Sequence, residues 1–252
     1  MTEIKLKESR QWGAARMDFD VPGGRGFVIL PPRPARPGQC PWVWYAPTFI
    51  EKPYALPKEL HAWYMTRWLE AGIALGGVDV GEAWGSPAGR AGFTEFHRAA
   101  VPRFGLDAKA CLLGQSRGGI FVYNWAVEHP DCVRCVGGIY PVCTVGIRAA
   151  REAVQAAYGM TAEQLLAQAA QHDPLERLAP LAKANVPLFH VHGDGDTVVP
   201  LEEHSGELIR RYRALGGRAE LLTIPGKGHE EVIEYFQCPA FLEFFLAQAG
   251  VR

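Results

Sequence analysis

The sequence of 252 residues predicts a single α/β domain with a mostly parallel central sheet. Three observations carry that reading. Strand-like apolar runs alternate with helix-length stretches at the spacing of βαβ units. Residues 42–46, Trp-Val-Trp-Tyr-Ala, are apolar without interruption, as a strand buried on both faces is. The chain is also long enough to bury such a sheet in one core without a second domain.

Taken in order, residues 4–8 and 26–30 are short strands ahead of the run at 42–46, and the proline-rich segment 31–38 reads as a stiff hairpin connection. A helix over 58–70 leads into a strand over 73–80, and a second helix covers 90–104. The strand 109–113 ends in a sharp turn, a helix runs from Ser116 to about 129, and a strand follows over 136–141. From 144 to 178 the alternation breaks into Ala- and Gln-rich sequence with helices over 147–158 and 161–171. On the pattern alone this segment is a helical insertion within the domain or a pair of surface helices remote from any site. The sheet resumes at 186–191, a helix covers 201–215, a strand 218–223, and a last helix runs from about 230 to 248.

Hydrophobic residues make up 48% and charged residues 21%, which excludes a largely disordered chain. With 26 basic against 27 acidic residues there is no electrostatic footprint for nucleic acid, so the expected partner is a small molecule or a neutral polymer. The N-terminus lacks an apolar leader core, and no segment approaches the ~18 continuous apolar residues of a membrane span. The chain as given therefore reads as cytoplasmic and without a membrane partner, with secretion left open if a leader has been removed. Its six cysteines do not form a disulfide framework at this length, and the Cys132/Cys135 pair lacks a second pair to complete a zinc site. No metal and no organic cofactor is expected, and the oligomeric state is not legible.

Residues 114–118, Gly-Gln-Ser-Arg-Gly, match G-x-S-x-G between a strand and a helix, the setting of a nucleophile elbow. The serine of such a turn adopts strained backbone angles, so its neighbours must be small, as Gly114 and Gly118 are. The pattern alone recurs by chance in a chain with 28 glycines. Its weight comes from two later segments, each after a strand: His-Gly-Asp-Gly-Asp-Thr-Val-Val-Pro at 192–200 and Pro-Gly-Lys-Gly-His at 225–229. A serine, then an aspartate, then a histidine is the chain order of one hydrolase architecture.

On these residues the chain resembles the α/β-hydrolase superfamily, and more narrowly its dienelactone-hydrolase-like and prolyl-oligopeptidase-like members, over nearly its whole length. The resemblance implies the α/β-hydrolase fold, a small helical cap at 144–178, where that superfamily inserts lids, and a triad of Ser116, Asp196 and His229, the acid being the aspartate four residues before Pro200. Asp194, in the same turn, is the alternative acid; otherwise it hydrogen-bonds the loop backbone. A serine hydroxyl needs a base to take its proton, and that is the role implied for His229. The oxyanion hole would use the Arg117 N–H and a second donor from the loop after residue 46. Pro47 has no N–H, which leaves Thr48 or Phe49, with Phe49 preferred.

The Arg117 guanidinium either meets a substrate carboxylate, supports the oxyanion directly, or pairs with Glu82 or another buried carboxylate. The Ser-Arg pair is similar to the elbow of glucuronoyl esterases, although Ile120 stands where that family carries a basic residue. Glu82, Trp84 and Tyr140 are candidate substrate-binding residues: Glu82 would accept sugar hydroxyls, and Trp84 either stacks on a sugar ring or plugs the core. The expected activity is carboxylic-ester hydrolysis, extended to acetyl or uronate esters of carbohydrates. The alternatives are a prolyl-oligopeptidase-like peptidase, for which this length leaves no gating domain, and a non-catalytic ligand-binding homologue. Serine at 116 departs from the cysteine of dienelactone hydrolases, and haloalkane dehalogenation would need aspartate there.

Overall fold

A computed structural model describes residues 5–51 and 54–251. Among these the sheet has nine strands in the order β1-β2-β3-β5-β4-β6-β7-β8-β9. Strands β1 (Leu6–Gln11), β2 (Ala14–Val21) and β3 (Gly24–Leu30) form an antiparallel meander, and β3 pairs antiparallel with β5 (Ala74–Asp79). The turn between β1 and β2 needs positive φ at both central residues, +48° at Trp12 and +77° at Gly13. From β5 onward every pairing is parallel, through β4 (Trp42–Ala46), β6 (Ala110–Gln115), β7 (Val133–Ile139), β8 (Leu188–Gly193) and β9 (Ala219–Ile224).

The sheet separates two cores. Helices α1 (Ala62–Glu70) and α10 (Pro239–Ala249) cover one face with Trp68, Phe241 and Phe245. Helices α2 (Pro87–Phe104), α3 (Gly118–Ala126) and α8 (Glu207–Ala214) cover the other with Phe96, Trp125 and Tyr212. Strand β4 alternates between them: Trp42, Trp44 and Ala46 enter one core, Val43 and Tyr45 the other. This is the period-two pattern of a strand buried on both sides.

That double burial also corrects one expectation. Segment 31–38 is not a hairpin connection, because β4 pairs with β5 and β6 while β3 pairs with β5. A strand apolar on both faces belongs inside the sheet, so the chain crosses past β5 to reach it. Strand β2 was not anticipated: Arg16 and Asp18 lie on one side of it and pair at 2.7 Å, which breaks up the apolar pattern. The expected strand at 4–8 begins outside the described residues at Ile4, and β1 extends beyond it to Gln11.

The last expected helix is divided. A loop carries His229, a short turn α9 (Ile233–Phe236) follows, and Pro239 opens α10 at a position that needs no N–H. Segment 144–178 is helical in short pieces, α4 (Glu152–Tyr158), α5 (Ala162–Ala167) and α6 (Ala169–His172), flanked by single 3₁₀ turns at Gly146–Arg148 and Pro174–Glu176. Gly159 ends α4 at φ +63°, and a reciprocal Thr161/Gln164 capping box starts α5. Among the described residues no helix is long and apolar enough to cross a membrane.

Candidate active site

Ser116 closes the turn between β6 and α3 with φ at +49°, the strain expected of an elbow. The turn is pinned from three sides: the Ser116 N–H donates to Ile139 O at 3.0 Å, and its carbonyl accepts from Gly119 N at 3.0 Å and Val142 N at 2.7 Å. The small neighbours are a steric requirement. A Cβ on Gly118 would lie 2.0 Å from Ala46 O, and one on Gly119 would lie 2.6 Å from both Pro141 Cβ and Val142 O.

Asp196 follows β8 and His229 follows β9, so all three predicted residues sit beyond carboxyl ends of parallel strands. They form one hydrogen-bonded chain: Ser116 Oγ to His229 Nε2 at 2.8 Å, and His229 Nδ1 to Asp196 Oδ2 at 2.8 Å. Asp196 Oδ1 accepts from the Val198 and Val199 amides at 2.9 and 2.8 Å. Burial pushes the Asp196 carboxyl up, but the hydrogen bonds of His192, His229 and the Val199 amide outweigh it and hold the group well below the usual carboxylate range. It is therefore charged at neutral pH. Asp194 faces away from this chain and accepts from Gly226 N at 2.6 Å, bracing the loop that carries His229. The same loop approaches β8 so closely that a Cβ on Gly193 would lie 2.0 Å from Lys227 O.

Behind the serine, Gln115 joins a buried polar network. Its Oε1 accepts from Tyr45 Oη at 2.6 Å and lies 2.7 Å from His61 Nε2, and its Nε2 donates to Tyr140 Oη at 3.0 Å. The Lys58 N–H donates to His61 Nδ1 at 3.2 Å, which fits a neutral ring protonated on Nε2. Burial pushes the His61 imidazole below its ordinary value, consistent with that neutral form. Tyr140, at φ +35°, lays its ring 4.4 Å from that of His229 and limits where the imidazole can swing.

A cavity of about 340 Å³ opens at this point, with Ser116, His229, Tyr140 and Trp84 in its wall. Trp84 is 7% exposed, so most of it is core and a small part contributes to the cavity wall. Glu82 is not in the wall; its carboxylate pairs with Arg117 at 2.9 Å, and Arg117 also lies over the Phe49 ring at 5.0 Å. The ion pair is the alternative expected for Arg117, and its charge is matched by Glu82. The Arg117 N–H has no hydrogen-bond partner among the described residues and is free to face an oxyanion. Phe49 is corrected as the second donor, because its N–H is committed to Leu56 O at 3.1 Å. Thr48 is the remaining candidate of that loop; its side chain donates to Tyr45 O at 3.0 Å, and Pro47 is the loop residue that lines the cavity.

Residues that sequence reasoning missed are Gln115, His61, His192, Arg148 and Arg151. Gln115 precedes the serine inside the motif and could have been found by position. Arg148 and Arg151 reach the cavity from the segment 144–178, whose sequence has no spacing that would single them out. Cys132 ends a 3₁₀ turn, whereas Cys135 is buried on β7 opposite Cys111.

Strand order, elbow and the chain order of the three polar residues define a protein of the α/β-hydrolase class. The sequence profile of the prolyl oligopeptidase family matches residues 93–249, and the chain belongs to that family of serine hydrolases. No curated protein matches it. Among solved structures it is similar to puromycin hydrolase, with a TM-score of 0.70 and 18% identity over 99% of this chain and 40% of that one. The chain thus spans two fifths of that protein. It is also similar to an S-formylglutathione hydrolase from Agrobacterium tumefaciens, with a TM-score of 0.69 and 14% identity over 99% of both chains. Est1E from Butyrivibrio proteoclasticus aligns with a TM-score of 0.61 and 16% identity over 97% of this chain and 99% of that one. At these identities the likeness is one of fold.

Proposed function

We propose that the protein is a carboxylic-ester hydrolase acting through an acyl-enzyme on Ser116. The observation that carries this reading is the continuous hydrogen-bonded chain from Ser116 Oγ through His229 to a charged Asp196. As Oγ bonds to the ester carbonyl carbon, His229 Nε2 takes its proton. Collapse of the tetrahedral intermediate breaks the carbon–oxygen bond to the alcohol, and the proton on Nε2 passes to the departing oxygen. Water, deprotonated by the same nitrogen, then attacks the acyl-serine, releasing the acid and restoring Ser116. Asp196 holds the Nδ1–H and stabilises the imidazolium while it exists. The Arg117 N–H, with the Thr48 N–H as second donor, serves the oxyanion.

Within this reading, a carbohydrate ester is supported by Trp84 in the cavity wall, an aromatic residue against which a sugar can pack. Family membership favours a second reading, cleavage of a peptide or aminoacyl amide by the same residues. That reaction needs Nε2 to protonate the amine before it leaves. The test is an intact-mass measurement of a fluorophosphonate adduct on wild type and Ser116→Ala, run beside turnover of 4-nitrophenyl acetate and of a prolyl 4-nitroanilide. Adduct and ester turnover lost together in the mutant support the proposal. Turnover of the anilide alone would transfer it to the peptidase reading, and a folded wild type that neither labels nor turns over either substrate would reject both.

A further inference from the structure

Two arginines in the wall of the catalytic cavity have no carboxylate partner among the described residues. Arg148 ends the 3₁₀ turn at Gly146–Arg148 and is only 5% exposed. Its Nη2 donates to Val198 O at 2.6 Å, and its Nε is buried without a partner. Its Nη1 is not among the buried unpartnered atoms, and Arg148 contributes to the cavity wall. Arg151, three residues on at the N-terminal end of α4, is exposed and lines the same cavity.

The other charges around the cavity are already matched. Arg117 pairs with Glu82 at 2.9 Å, and Glu231 with Lys58 at 2.7 Å. Asp196 is taken by His229, His192 and two backbone amides. Burial, followed by the neighbouring charge of Arg151, pushes Arg148 below its ordinary value, with Asp196 partly opposing. Guanidinium nevertheless stays protonated, because that ordinary value is so high. A buried cation with unused donors is costly to hold unless a counter-charge arrives. Here the cation lines the space in which substrate must lie. Val142, Val198 and Leu56 supply apolar wall in the same cavity, suited to a short hydrocarbon spacer.

From this juxtaposition we infer that Arg148 and Arg151 form a carboxylate-binding subsite, and that the preferred substrates are esters carrying a second, free carboxylate. The substrate claim rests on Ser116 being the nucleophile; the binding claim does not. A planar fork of donors matches a carboxylate in two-point geometry, and the exposed Arg151 draws the anion in from solvent.

Two measurements separate these claims. In the first, calorimetric titration of Ser116→Ala compares monomethyl glutarate with dimethyl glutarate, which differ in the free carboxylate. Tighter binding of the monoester by at least about tenfold is expected, with the ratio falling toward one when Arg151→Gln is added and weakening as salt rises. Arg151 is exposed, so this substitution carries the test even if Arg148→Gln fails to fold. Equal binding of the two esters, or a preference that survives Arg151→Gln and a folded Arg148→Gln, overturns the subsite.

In the second, kcat/KM of the active protein is compared for 4-nitrophenyl hydrogen glutarate, 4-carboxyphenyl acetate and 4-nitrophenyl butyrate. The carboxylate lies on the acyl side of the first and on the alcohol side of the second. Preference for one of these over the neutral ester by about tenfold, reversed toward a 4-aminobutyrate ester in Arg151→Glu, supports the inference and tells which side is read. Turnover of the neutral ester with no gain for either anionic one rejects the substrate claim while leaving the hydrolase reading intact. A carboxylate preference in the titration without turnover of any ester does the reverse.

Discussion

The elbow between β6 and α3 and the segment 144–178 both face the same cavity, yet they are held in place by different physics. At the elbow, backbone meets backbone: a Cβ on Gly118 or Gly119 would collide with the end of β4 or with residues 141–142. In the segment 144–178, side chains do the holding. Asp173 Oδ2 accepts from the Val145 and Gly146 amides at 3.2 and 3.1 Å and from the Thr144 hydroxyl, while Tyr158 donates to Trp84 O at 3.0 Å. Gly159, in the same segment, has nothing within 4 Å of where a Cβ would stand. One region fixes the reacting atoms by steric exclusion. The other arranges charge around them and has room to vary.

The contrast is tested first at its extreme. Ser116→Ala should lower ester turnover by at least about 10³-fold with a small change in Tm, because a hydroxyl is lost and no packing is. A mutant retaining most of the turnover would move the chemistry away from the elbow. Next, Asp196→Asn should lower kcat by about 10³- to 10⁴-fold by upsetting the His229 tautomer, whereas Asp194→Asn should stay within about tenfold, because it only loosens the loop at Gly226. Kinetics of the two mutants in parallel decide it, and the reverse ranking would make Asp194 the acid.

Stability gives a finer comparison. Gly118→Ala should destabilise by more than about 2 kcal/mol in urea unfolding, since either β4 or the elbow must move. Gly159→Ala has space for its methyl and should lose only about 1 kcal/mol, the cost of a left-handed alanine. Similar losses at the two sites would erase the distinction between the regions.

The last expected effect concerns pH. His190 and His204 are pushed down to about 3, by burial first and then by the neighbouring His192 and by the charge of Arg148 respectively. Unfolded histidine titrates near 6.5, so between about pH 6.5 and 3 the unfolded chain binds more protons than the folded one. Their contribution is fully present above about pH 6.5 and declines as pH falls toward 3. The urea midpoint should therefore drop progressively from pH 7 to pH 4, and less steeply in His204→Asn. A wild-type midpoint flat over that range would contradict the buried, neutral assignment.

The same contrast explains what could be read from the sequence. Steric requirements leave a mark in residue type: glycines around Ser116, an uninterrupted apolar run at β4, and an aspartate at a fixed distance from Pro200. Fold class, strand alternation and the three aligned polar residues were legible for that reason. Pairing choices were not. Phe49 looked available as a donor because nothing local reveals that its amide meets Leu56, and segment 31–38 looked like a hairpin because turn chemistry does not say which strand comes next. Arg148 and Arg151 were hidden for a similar reason, since a missing counter-ion is a property of the folded cavity and of no motif.

The most direct test of the central claim is to trap the acyl-enzyme. Wild type mixed with 4-nitrophenyl acetate, quenched in acid within the first turnover and digested, should yield an acetylated peptide whose modification maps to Ser116. The adduct should build up where Asp196→Asn and His229→Ala form none on that timescale. A burst of 4-nitrophenol with the acetyl group on another residue, or steady turnover with no covalent intermediate that also persists in Ser116→Ala, would contradict the account.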